Sequence, residues 1–110
     1  MRTVLIAAAL LSGCAMYGGD DRRRSAYLQG RPDIAPEMRW AIADGKIRQG
    51  MTKEEVIASW GEPCWYCRGT REASFGDTWE YNVFGSGSYG AGNGTYLFFD
   101  PQGKLRHWSN

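Results

Sequence analysis

Three cysteines and a single histidine carry most of the reactive potential of this 110-residue chain. Two of the cysteines stand as Cys64-Trp65-Tyr66-Cys67, a spacing that serves three chemistries. A zinc site needs about four ligands, and His107 is the one further ligand of that kind. Dithiol redox chemistry wants its first thiol at a helix N-terminus, where the thiol pKa falls. Here the pair follows a helix end and precedes strands. A structural disulfide suits an oxidising compartment, and this is the expected reading. It carries a geometric condition. In an extended strand, Cα atoms three residues apart lie roughly 10 Å apart, whereas a bridge needs less than about 7 Å. Residues 64–67 must therefore turn. Trp65 and Tyr66 are then expected at the turn tip as an exposed aromatic pair, a residue type enriched at binding hot spots.

Other motifs lead away from catalysis. His107 alternates with Trp108 in the last predicted strand and has no Ser, Asp or Cys partner by sequence. Gly85-Ser-Gly87-Ser-Tyr89-Gly90 has the spacing of a dinucleotide loop, but that motif must open a helix within a βαβ unit. A strand follows instead. The segment reads as a connection between strands, with Tyr89 a candidate contact residue. No carboxylates pair suggestively. The expectation is a protein that is not an enzyme, with no catalytic residue, metal or cofactor.

The third cysteine has a different setting. Arg2 precedes a nine-residue run, Thr3 to Leu11, rich in apolar residues. As a helix this run is roughly 14 Å long, too short for a bilayer core of about 30 Å. Charge followed by an apolar stretch is the layout of a secretory signal. Leu11-Ser12-Gly13-Cys14 resembles the bacterial lipobox, in which the signal is cut before the cysteine and the cysteine is acylated. Residues 1–13 are thus expected to be a lipoprotein signal peptide, with Cys14 anchored in lipid. Ala15 behind it favours the outer membrane by the same resemblance. Cleavage removes Arg2, one of 13 Lys and Arg residues, which balances the remainder against 12 Asp and Glu. A near-neutral chain lacks the basic footprint of nucleic-acid binding.

The elements that must position these residues follow from pattern. Residues 14–30, with Gly18, Gly19 and the charge run Asp20 to Arg24, read as a lipidated, solvated tether. Ala35 to Lys46 reads as a short helix, with Pro36 at its first position and Gly45 beyond its end. Thr52 and Glu55 make a capping box, with Met51 and Val56 at the staple positions. Val56, Ile57 and Trp60 form the apolar stripe of the helix that follows, and Trp60 is expected to anchor the core. After Pro63 the period becomes two. Trp79, Tyr81 and Val83 share a strand face, Thr95 to Phe99 is a second strand, and Leu105 to Trp108 a third. Asp100-Pro-Gln-Gly103 suits a type I turn. Cys64 to Arg71 is a candidate fourth strand, with Ser74 to Asp77 as a turn. The expected fold is α+β: two short N-terminal helices on one face of a three- to four-stranded antiparallel sheet.

Arg31-Pro-Asp-Ile34, Ile47 with Gly50-Met-Thr52, Val56, Gly61 to Pro63, Gly76 to Tyr81 and Phe99-Asp100 to Leu105 together resemble the SmpA/OmlA family, the BamE-type small outer-membrane lipoproteins. The resemblance covers about residues 31–108 and extends to Cys14 upstream, so residues 31–110 are expected to form an SmpA/OmlA-like domain. It implies a two-helix, three-strand fold. It also implies envelope proteins as partners, the β-barrel assembly machinery among them, and an accessory role in outer-membrane β-barrel assembly. The alternatives are a periplasmic redox or metal-binding module using Cys64 and Cys67, or a small inhibitor or ligand-binding lipoprotein. The chain departs from the family pattern in its Cys64–Arg71 insert, its first helix and its glycine-rich segment 85–94.

Overall fold

A computed structural model describes residues 19–81 and 94–109. Three helices come first: α1 (Gly19–Gln29), α2 (Pro36–Ala43) and α3 (Lys53–Trp60). Three strands follow: β1 (Thr78–Tyr81), β2 (Thr95–Phe99) and β3 (Leu105–Ser109). The sheet is antiparallel in the order β1-β2-β3. The fold is α+β, with the helices packed against the sheet.

Residues 19–29, expected to be tether, are instead helical and docked. Asp20 pairs with Arg23 at 2.7 Å and Asp21 with Arg24 at 3.6 Å, each one turn apart. Such spacing supports a helix modestly. No residue of α1 is fully buried, although Tyr27 and Leu28 pack against the core. What fixes the helix is polar. Arg23 and Arg24, partly buried, bond the end of α3, while Arg22 stays exposed.

α2 closes in a Schellman motif. Gly45 N–H donates to Ile42 O at 3.1 Å and Lys46 N–H to Ala41 O at 2.8 Å. The motif needs a left-handed residue, and Gly45 supplies it at φ 73°. α3 opens with the capping box: Glu55 N–H donates to Thr52 Oγ1 at 3.1 Å, and Thr52 N–H to Glu55 Oε1 at 2.8 Å. Met51 and Val56, on either side of the cap, are both fully buried.

The inner sheet face carries Trp79, Tyr81, Leu97, Phe99 and Leu105 into a core shared with Ile42, Met51 and Val56. Trp60 is partly rather than fully buried. Its ring meets Tyr81 edge-on at 5.3 Å, and its Nε1–H donates to Gly45 O at 2.9 Å. It thus ties the end of α3 to the end of α2. In the β2–β3 hairpin, Gly103 N–H donates to Asp100 O at 2.8 Å. Asp100 Oδ1 accepts from the N–H groups of Gln102 and Lys104. The register shifts between Phe98 and Phe99.

Cys64 to Arg71 is not a strand. Cys67 N–H returns to Cys64 O at 3.2 Å and Thr70 N–H to Cys67 O at 3.1 Å. These successive turns leave Arg71 alone in a bridge with Thr78. The next turn closes one residue earlier than expected, with Gly76 N–H on Ala73 O. Val83 lies outside the described residues.

Candidate functional site

The Cys64–Cys67 turn is built against the outer edge of β1. Cys64 N–H donates to Glu80 O at 2.8 Å, Glu80 N–H to Thr70 Oγ1 at 2.8 Å, and Gly69 N–H to Glu80 Oε1 at 2.9 Å. Arg71 and Thr78 exchange a pair of backbone bonds at 2.9 Å. The segment thereby covers strand groups that would otherwise offer a free edge. The two sulfurs stand at disulfide-bonding distance, with Cα atoms 5.4 Å apart. That separation meets the geometric condition for a bridge.

Both rings of the aromatic tip are exposed, as expected, but unequally. Tyr66 is 90% exposed, but Trp65 is 54% exposed. The Trp65 ring lies edge-on to Trp79 at 5.4 Å, and its Nε1–H donates to Glu62 Oε1 at 2.8 Å. An indole buries far more apolar area by folding back on a neighbouring ring than by standing in water. Tyr66 has no such neighbour among the described residues.

Beside this tip a cleft of about 310 Å³ is lined by Lys53, Trp65, Arg71, Glu72 and Asp77. Lys53 forms an ion pair with Asp77 and lies 5.9 Å from the Trp79 ring centre. Asp77 also accepts from Ala73 N–H at 3.3 Å. The carboxylate is thus engaged in holding the loop to α3. A second cleft, about 350 Å³, lies on the outer sheet face between Phe75, Phe98, Pro101, Arg106 and His107. The His107 ring packs on Phe98 at 4.6 Å. Its neighbour in that arrangement is apolar, not a nucleophile or a carboxylate. Among the described residues no group of three or more His, Cys, Asp and Glu is placed to hold a metal ion.

Two exposed aromatics escaped the sequence reading. Phe75 is 81% exposed in the turn before β1, and Trp40 is 76% exposed on α2. A signal for Trp40 was present. Met38 and Ile42 set the inward face of α2, and position 40 falls about 200° from Met38 at 100° per residue, on the opposite side. Phe75 stands between polar residues in a turn and offers no period to read. Cys14 and Tyr89 lie outside the described residues. No helix among the described residues is long and apolar enough to cross a membrane.

Compared with protein-family models, with curated proteins and with solved structures, the chain finds no match.

Proposed function

We propose that this protein is a lipid-anchored periplasmic interaction module, held in the outer membrane through acylated Cys14 and facing the periplasm. Its work is to bind other envelope proteins rather than to turn over a substrate. By the SmpA/OmlA resemblance, that work is an accessory role in outer-membrane β-barrel assembly or envelope integrity. The observation that carries the reading is Leu11-Ser12-Gly13-Cys14, placed after a basic residue and a short apolar run. A covalent lipid explains why the apolar run ends in a cysteine. Each buried CH₂ contributes about 0.8 kcal/mol to membrane attachment, and two or more chains make it durable.

Metabolic labelling with a fatty acid tests the anchor. Wild type should take up label and fractionate with the outer membrane, and Cys14→Ala should do neither. Equal labelling of the two removes the proposal. Affinity purification from solubilised membranes tests the partner. Recovery of β-barrel assembly subunits supports the accessory role, and their absence beside other envelope proteins redirects it.

A further inference from the structure

The arrangement of the three helices gives the domain two distinct ends. At one end, Arg23 and Arg24 near the start of α1 bond Ser59 at the end of α3, and the Arg24 guanidinium lies against Gly45 at the end of α2. At the other end, Arg31 beyond α1 reaches Glu54 at the start of α3, 3.3 Å away. Arg39, midway along α2, donates to Arg31 O at 2.9 Å. Both α2 and α3 therefore run antiparallel to α1. The start of α1, Gly45 and Gly61 gather at the first end. Lys53 with Asp77 mark the second, and Thr52 bridges Lys104 there beside the Asp100–Gly103 turn.

Docking α1 shortens the connection to Cys14. Only four residues, 15–18, separate Cys14 from Gly19. Five Cα steps reach at most about 18 Å, whereas an extended tether through Gly30 would reach about 55 Å. The headgroup layer of each leaflet takes up about 5–7 Å of that. Gly19 at the start of α1 is thus held within roughly 11–13 Å of the bilayer surface whenever Cys14 carries lipid.

We infer that the bilayer is the partner of this end of the domain: the start of α1 and the ends of α2 and α3 rest on it, with the Trp40 indole in the headgroup layer. The inference rests on the proposed acylation of Cys14. Trp40 stands midway along α2 and lines a shallow cleft with Asp44 and Lys46 beyond the end of that helix, exposed and without a protein ring beside it among the described residues. Indole rings favour the membrane–water interface, where one edge is apolar and the N–H is wet. Charge contributes little. Asp20, Asp21, Asp44 and Glu62 offset Arg22, Arg23, Arg24 and Lys46, so the contact depends on the lipid chains and the indole. Phe75 and the Asp100–Gly103 turn then face away from the membrane, toward periplasmic partners.

The test uses the full-length mature protein purified from membranes and reconstituted into phosphatidylethanolamine–phosphatidylglycerol vesicles with headgroup-nitroxide lipid. Intact mass first establishes the acyl chains. An unacylated chain overturns the anchoring proposal, and this inference with it. On acylated samples, a fluorophore at Asp44→Cys should be quenched several-fold more than one at Gln102→Cys. Equal quenching, or more at position 102, overturns the orientation while leaving the anchor intact. Trp40→Phe, a substitution at an exposed site, should lower the nitroxide quenching of intrinsic tryptophan fluorescence, the remainder coming from Trp60 at the same end. Undiminished quenching overturns the role of Trp40.

Discussion

The Nη2 atom of Arg23 lies 3.0 Å from the carbonyl oxygen of Ser59, and its Nε lies 2.9 Å from that of Ala58. Arg24 Nε reaches the same Ser59 oxygen at 2.8 Å. The last carbonyls of a helix have no partner within it and collect its partial negative charge. Two guanidiniums from α1 supply both the donors and the positive charge. Ser59 also uses its hydroxyl, which donates to Lys46 O at 2.7 Å. The end of α3 is therefore where all three helices are joined.

Arg23→Ala should cost about 2 kcal/mol, since hydrogen bonds from charged groups contribute about 1.5–3 kcal/mol and this side chain keeps some contact with water. Arg22→Ala, at an exposed position, should stay within about 0.5 kcal/mol. Urea melts of the two variants check the pair. Hydrogen exchange should show residues 19–29 losing protection in Arg23→Ala before the core does. Equal, near-zero effects would mean that the arginine bonds do not hold α1.

Legibility in the sequence followed locality. The cap on α3, the end of α2 and the Asp100–Gly103 turn depend on residues within a few positions of one another. Thr52, Glu55, Gly45 and Pro101 each act in this way. α1 was missed because its stability comes from another helix: Arg23 bonds residues 35 and 36 positions away. A charge run carries no apolar period, so it has the composition of a tether. The same reasoning separates Trp65 from Tyr66. Both sit in the expected turn, but only Trp79, brought across by β1, decides which ring is half-covered. The condition on the cysteines was local again, because three residues can close a bridge only by turning.

Thr52→Ala should destabilise the domain by about 1 kcal/mol through loss of the cap on α3. Glu55→Ala removes the reciprocal half of the box and should cost less, since Thr52 still accepts from the N3 backbone. Thermal melts of both variants and their double mutant check this. A double-mutant effect smaller than the sum is expected, because the two bonds hold one turn.

Gly76 and Gly103 separate two costs that both fall under positive φ. Gly76 has φ 135°, and a Cβ there would overlap the carbonyl oxygen of Phe99. That backbone has little room to shift, since Phe99 N–H donates to Asp77 O at 2.8 Å. Gly103 has φ 82° with open space around it. Gly103→Ala should cost about 1–2 kcal/mol, the strain of a left-handed residue. Gly76→Ala should cost about 3 kcal/mol or more, because a steric clash adds to the strain. Similar losses for both would show that the 73–77 turn relaxes freely.

Burial pushes the Tyr27 phenol above its ordinary pKa, against the opposing pull of the Arg31 guanidinium, which lies 5.2 Å from its ring centre. The neutral phenol is the form the folded state favours. Its contribution is fully present below the unfolded tyrosine value, about pH 10, and is lost as pH rises through the folded value. Wild type should therefore lose stability relative to Tyr27→Phe above about pH 10. Urea melts of both proteins at pH 8 and in the alkaline range check the sign. A stability gap that stayed constant through this range would remove the link to Tyr27.

Cys64 and Cys67 should be joined by a disulfide in the freshly isolated protein. Their Cα separation of 5.4 Å and the Cys67 N–H bond to Cys64 O set the turn without help from a distant element. The loop they close is so short that the chain-entropy estimate gives only about 2 kcal/mol, before any strain. Replacing both by Ser should therefore cost about 2 kcal/mol or less and leave the fold intact. The backbone bonds from Cys64 to Glu80 and from Arg71 to Thr78 remain available to hold the edge of β1. Tyr66 has no ring to rest on among the described residues, so its position depends more on the bridge than that of Trp65 does. In the double-Ser variant, hydrogen exchange should rise at residues 65–69 with little change in β1. Intact mass after alkylation, with and without reductant, reads the bond itself. Alkylation of both thiols in the freshly isolated, unreduced protein would show that no bridge forms, and that the backbone bonds alone hold the turn closed.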